Sequence, residues 1–225
     1  MRYIPSKDLL FIHIPKTGGI TVENVIHVNY ENVNKIPHYW HGLPGRHVTL
    51  NHLRHHKWNS SKIETAYGFA FVRHPVSWYM SIWRWLNDAK KNREVAKKQY
   101  LALFKEYRWH PKLPLVPLAE LPFDEFVFAV TKLHPSFLTK IYKMYLDDPI
   151  IQFIGRTETL AADIRTILKL SDTIKIPRAN ASKTSKPRID EDSGVLDAIL
   201  DTEKEVIEQY YSDDTIKNRY TEDWK

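Results

Sequence analysis

The segment that most constrains this chain is Leu9 to Val28, LLFIHIPKTGGITVENVIHV. Leu9-Leu10-Phe11-Ile12 is an apolar run too short for a helix and suited to a buried parallel strand. Pro15, Lys16, Thr17, Gly18 and Gly19 follow. Ile20, Val22, Val25, Ile26 and Val28 then offer packing positions at helical spacing. Strand, glycine turn and helix in that order aim backbone N–H groups at an anion, with the helix dipole behind them. Two adjacent glycines let the main chain approach a phosphate closely. Lys16 adds a point charge, and Thr17 and Thr21 add hydroxyl donors. The triphosphate-binding pattern G-x-x-x-x-G-K-[ST] is absent, because the lysine precedes the glycines and no glycine occurs before Gly18. Taken alone, Lys-Thr-Gly-Gly is also ordinary turn chemistry.

A second stretch adds weight. Tyr67 to Val72 reads as another buried strand, ending in Arg73-His74-Pro75, and Val76 to Leu86 reads as a helix with Pro75 near its start. Arg73 then sits at a strand's carboxyl end and Ser81 two turns into the following helix. Ligands of open α/β sheets bind at that edge, so both residues can face a ligand held by the first loop.

IHIPKTGG-x-T and VRHP-x5-S together resemble the two signatures of the sulfotransferases, which use 3′-phosphoadenosine 5′-phosphosulfate (PAPS) as donor and release 3′,5′-adenosine bisphosphate (PAP). The spelling is similar to carbohydrate-type, Golgi-related and bacterial members. The resemblance implies that Lys16, Thr17, Gly18, Gly19, Ile20 and Thr21 grip the 5′-phosphosulfate, while Arg73 and Ser81 grip the 3′-phosphate. Ile20, His74, Trp78 and Trp83 depart from the usual residues; the first removes a hydroxyl donor, and the others leave acceptor specificity open. The fold implied is a three-layer α/β sandwich around a mostly parallel sheet, P-loop-like in type, formed by residues 1–225 as a single domain.

Arg46-His47-Val48-Thr49-Leu50 resembles the segment that carries the catalytic histidine in glycan 2-O-sulfotransferases. His47 is therefore the expected general base, with His52 second, since histidine titrates in the range this step needs. The segment from Arg46 to Leu53 reads as a brief strand feeding a helix that ends near His56. His41, His47, His52, His55 and His56 can equally solvate a loop, and His52 with His56 has the i,i+4 spacing of a zinc pair, but without a glutamate after His52. No metal is expected. Weak substrate contacts are assigned to His41, His52 and Trp78. The segment 154–163 resembles the family's G-R-x-E-x-L-x-x-D, and Asn180-Ala181-Ser182-Lys183 a late loop near the nucleotide, which makes Lys183 a phosphate contact by resemblance. Asn87 to Tyr107 reads as a charged, solvent-facing helix. Tyr142, Met144, Tyr145 and Leu146 read as helix core, with an acceptor groove as alternative. Ser193 to Tyr220 reads as one closing helix.

Composition narrows the classes. The 225 residues carry 33 basic and 27 acidic side chains, for a net charge of +6, with no cysteine. Disulfides, thiolate metal sites and cysteine nucleophiles are excluded. The positive balance favours an anionic ligand, yet no basic stripe or known module points to nucleic acid. No apolar run reaches the length of about 18 residues that a membrane span needs. Animal relatives are anchored in the Golgi; the expectation here is a soluble, cytoplasmic form of bacterial or viral type, or a luminal one whose anchor was removed. The expected activity is transfer of a sulfuryl group from PAPS to an acceptor hydroxyl on a glycan. A nucleotide kinase or hydrolase using the same loop, and a non-catalytic PAPS- or glycan-binding module, are the alternatives.

Overall fold

The computed structural model describes residues 1–35, 39–40, 43–55, 60–88, 113–177, 189 and 194–212. Contacts divide the chain into two compact units, neither continuous in sequence. The first holds Met1–Arg73, Glu106–His110 and Tyr142–Ala181; the second holds His74–Lys105, Pro111–Ile141 and Ser182–Lys225.

The first unit is built on a five-stranded sheet. Its strands are β1 (Arg2–Ile4), β2 (Leu9–Ile12), β3 (Asn34–Lys35), β6 (Tyr67–Val72) and β7 (Ile151–Arg156), in the order β3-β1-β2-β6-β7. A separate antiparallel pair joins β4 (Tyr39–Trp40) to β5 (Leu43–Pro44). β2, β6 and β7 are parallel neighbours, with Ile12 opposite Ala70 and Val72 opposite Arg156. β1 is antiparallel to both β2 and β3. The sheet is thus mixed: the expected parallel character holds for the three strands whose loops matter, and the short β1 and β3 carry no apolar run that would announce them.

Alternation along the strands buries both faces. Leu9 and Phe11 on β2 join Phe69 and Phe71 on β6 in one cluster with Val22, Val25 and Ile26 of α1 (Gly19–Asn29) and Ile164 and Leu168 of α7 (Leu160–Leu168). Leu10, Ile12, Ala70 and Val72 point to the other face and are also buried. A sheet covered on both sides is what the layered expectation requires. Val28, expected to pack, is instead 81% exposed at the end of α1.

Residues 46–50 form no strand. A 3-10 turn at Gly45–His47 leads into α2 (Leu50–His55), followed by α3 (Ser60–Thr65). In the second unit, α4 (Pro75–Asp88) packs with α5 (Phe123–Leu133) and α8 (Val195–Thr202). α6 (Phe137–Leu146) belongs by Phe137–Ile141 to the second unit and from Tyr142 onward to the first. The closing helix is two helices, α8 and α9 (Lys204–Tyr210), broken at Glu203. That carboxylate is fully buried and accepts from Tyr79 Oη (2.8 Å), the Leu138 and Thr139 amides (2.9 Å each) and Thr139 Oγ1 (2.8 Å). An acid so deep persists because four donors replace its water. Residues 89–107, expected as a charged helix, and 213–220 lie outside the described residues.

Candidate anion-binding site

The first loop leaves β2 and turns twice through the left-handed region, at Lys16 (φ 69°) and Gly18 (φ 79°). Gly18 caps α1, so Gly19 and Ile20 lie in a first turn whose N–H groups have no intrahelical carbonyl to reach. The amides of Thr21 and Val22 turn back to the Gly18 carbonyl at 2.9 and 3.4 Å. Thr17 Oγ1 donates to the Ile14 carbonyl at 3.0 Å and is buried, so its hydroxyl closes the loop rather than serving as the expected outward donor. Its amide is the group left for a ligand.

The loop is backed by packed side chains. A Cβ on Gly19 would lie 2.1 Å from His13 Nε2, and one on Gly18 would lie 2.8 Å from Leu160 Cδ2. The first glycine of α1 therefore rests on a buried imidazole. The capping glycine rests on Leu160 at the start of α7, the turn in which Asp163 accepts from the Arg156 amide and from Thr159 Oγ1, both at 2.7 Å.

His13 donates from Nδ1 to Glu23 Oε1 at 2.9 Å, and both side chains are buried. Arg2 Nη2 reaches Glu23 Oε2 at 2.8 Å, Arg46 Nε stands 3.4 Å from the same oxygen, and the Met1 amine is 3.8 Å from Oε1. Burial lowers the His13 pKa to about 4, against the pull of the carboxylate. Burial by itself would raise Glu23, but the hydrogen bond from His13 and the neighbouring positive charges hold it at about 2. The pair is thus a neutral imidazole on an ionised carboxylate.

His47 stands edge-on to His13, ring centroids 4.7 Å apart. Its Nδ1 lies 3.1 Å from the His13 carbonyl oxygen. A carbonyl only accepts, so neutral His47 carries its proton on Nδ1 and its basic lone pair on Nε2. Tyr145 Oη donates to the His47 carbonyl.

Arg73 leaves the end of β6, next to β2 in the sheet, and its Nη1 donates to the Lys16 carbonyl at 3.2 Å. The arginine of the second motif therefore lies on the loop of the first. The chain belongs to the sulfotransferase family. The family model for the sulfotransferase family matches residues 1–224. Comparison with curated proteins and with solved structures finds no match.

Within this sulfotransferase-family chain, one unit brings together Lys16, Thr17, Gly18, Gly19, Ile20, Thr21, His47 and Arg73. The set suits a phosphate: a helix N-terminus, an ammonium, a guanidinium and glycine backbone that a ligand can approach. Ser81 is half-buried on α4 in the second unit. Trp78 has 0% exposure and packs on Tyr79 and Phe137, ring centroids 5.6 and 6.1 Å away; the expected substrate contact is a core side chain. His52, on α2, is tied through Nδ1 to Thr49 Oγ1 at 2.7 Å. His41, His56 and Lys183 lie outside the described residues. Among the described residues no group of three or more His, Asp or Glu is disposed to hold a metal ion, and no helix is long and apolar enough to cross a membrane.

Two residues of this site carry no functional expectation from sequence, His13 and Glu23, and Tyr145 reads there as helix core with an acceptor groove as alternative. The one signal for Glu23 is an acid on a helix face among Val22, Val25 and Ile26.

Proposed function

We propose that the chain is a PAPS-dependent sulfotransferase whose acceptor is a hydroxyl of a carbohydrate, working as one domain. The observation that carries this reading is the Arg73 guanidinium on the Lys16 carbonyl, which puts the cation of the second motif on the loop of the first. Bound PAPS supplies the activated sulfuryl group, and no metal is required. Lys16 neutralises charge on the oxygen through which PAP departs, and the amides of Thr17 to Ile20 hold the 5′-phosphate oxygens, with Thr21, whose amide closes onto Gly18, contributing on family resemblance. Arg73 and, eight residues further on, Ser81 take the 3′-phosphate, the group that separates PAPS from ATP. His47 accepts the acceptor's hydroxyl proton at Nε2 as the new oxygen–sulfur bond forms and the bond to phosphate breaks. Proximity and fixed charge do most of the work, as in phosphoryl transfer. Lys183 is a further phosphate contact on family resemblance, and His41 and His52 are weak acceptor contacts, His52 being also the second choice for the base. The carbohydrate acceptor rests on the spelling of the first motif.

The test is calorimetric titration with PAP, and with ATP and AMP in separate runs. The reading predicts binding of PAP that depends on the 3′-phosphate and is lost in Arg73→Ala. No PAP binding, or a preference for ATP with Mg²⁺, overturns it in favour of a kinase. PAP binding with transfer to no glycan, protein tyrosine or small alcohol makes the chain a binding module, and transfer only to one of the latter two overturns the carbohydrate acceptor.

A further inference from the structure

Two tyrosines one helical turn apart hold the main chain at the two motif residues that matter most. Tyr142 Oη accepts from the Arg73 amide at 2.7 Å and donates to the Arg73 carbonyl at 2.8 Å. Tyr145 Oη donates to the carbonyl of His47. Both are 1% exposed and lie in the last turns of α6, within the first unit. Their i,i+3 spacing puts them on one face, about 4.5 Å apart along the axis.

Phenylalanine would fill the same core volume without a phenol to desolvate. What the hydroxyls add is specific. Arg73 lies one residue beyond the β6 ladder, where Val72 still accepts from the Thr157 amide at 2.8 Å. The Tyr142 hydroxyl takes over both polar groups of the Arg73 backbone at the point where strand partners end. It fixes the direction in which the guanidinium leaves the sheet, toward the Lys16 carbonyl. His47 is held at two points: its ring by the His13 carbonyl and its own carbonyl by Tyr145. Arginine and histidine are thereby registered against the same stretch of helix.

We propose that Tyr142 and Tyr145 are positioning residues that set the phosphate-binding arginine and the proton-accepting histidine in register, each through a main-chain hydrogen bond. This rests on the roles given above to Arg73 and His47. Tyr142 acts on ligand affinity and Tyr145 on the orientation of the imidazole, so the two effects separate.

The experiment uses the full chain and PAP as the probe. PAP affinity is measured by calorimetry, and the His47 ring is followed by imidazole ¹⁵N signals assigned with His47→Gln. Tyr142→Phe weakens PAP roughly tenfold, the loss of one well-placed polar contact, and leaves the His47 signals in place. Tyr145→Phe shifts the His47 signals and leaves PAP affinity unchanged. In the Arg73→Lys background, which keeps a cation and so a weakened but measurable PAP affinity while losing the guanidinium's contact geometry, Tyr142→Phe has a smaller effect on PAP, because its influence runs through that side chain. Equal effects of both variants on PAP, no effect of either, or an undiminished Tyr142→Phe effect in the Arg73→Lys background overturn the assignment. So does a Tyr142→Phe chain that fails to fold, which would make the hydroxyl a stability element. If wild-type PAP binding is absent or indifferent to Arg73→Ala, the proposed function itself fails; if Arg73→Ala abolishes binding and Tyr142→Phe does nothing, only the positioning role falls.

Discussion

Glu23 accepts the Nδ1 proton of His13 across 2.9 Å directly beneath the glycine loop. The consequence is mechanical as well as electrostatic. His13 has Phe11 on one side at 5.6 Å, His47 on another at 4.7 Å and Gly19 against its Nε2 edge, so the carboxylate fixes the ring on which the loop rests. Glu23→Gln keeps the shape but removes the charge that Arg2 and the imidazole N–H answer to. Breaking a buried charge pair costs about 3 kcal/mol, so this variant should show a lowered denaturant midpoint and weaker PAP binding.

Acid should destabilise the protein well before carboxylates titrate. His13 and His74 are both lowered to about 4 by burial, against roughly 6.5 in an unfolded chain. As pH falls from 6.5 toward 4, the unfolded chain binds protons that the folded one refuses, and stability drops. Glu23, at about 2, keeps its charge through this window and adds its own loss only below about 4.5. Urea unfolding at pH 7 and pH 5 checks this: the midpoint should fall at pH 5, and less so in a folded His74→Gln variant.

The two loop glycines should fail differently when each is replaced by alanine. At Gly18 the cost is the left-handed backbone, about 1–2 kcal/mol, because the nearby Leu160 side chain can swing aside. At Gly19 the new methyl meets an imidazole held from three sides, and overpacking costs about 1–3 kcal/mol with displacement of the loop. PAP titration should show Gly19→Ala as the more damaging of the two.

Lys16→Ala and His47→Ala should divide binding from chemistry. Loss of the lysine weakens PAP and slows transfer together. Loss of the histidine leaves PAP affinity intact and lowers turnover by about 10²–10⁴, the usual yield of a general base. Turnover unchanged in both folded variants would remove the assigned roles.

Glu203→Ala should cost more than any surface change. Its four buried donors lose their acceptor at once, and a melting temperature lower by roughly 10 °C is expected.

Much of the site is written locally in the sequence, and that part was legible. β2 and β6 span the residues that their apolar runs mark, and both loops leave them at the parallel edge. Arg73 could be placed from its position after a strand. Three kinds of information are not local. β1 and β3 are too short for any periodic signal and exist through pairing alone. Glu23 looks like a helix-surface acid until Arg2, His13 and Arg46 converge on it. Tyr142 and Tyr145 read correctly as core, but where a phenol proton goes is decided by backbone that lies about 70 and 98 positions earlier in the chain. The brief strand expected within Arg46–Leu53 gives way to a turn because its short apolar pattern is local, whereas Met1 and Tyr145 reach the carbonyls of Arg46 and His47 from far along the chain.

β1 runs against its neighbour, so its beginning arrives at the edge where β2 ends: Arg2 sits opposite Phe11 and extends to Glu23 under the loop. A strand that carries none of the motif residues is thereby tied to the occupancy of the loop. By mass action, a ligand that binds only the native loop adds about 2.7 kcal/mol at a hundredfold excess over its dissociation constant. Part of that gain should be readable at a distance, as slower amide hydrogen exchange along Arg2–Ile4 when PAP is bound.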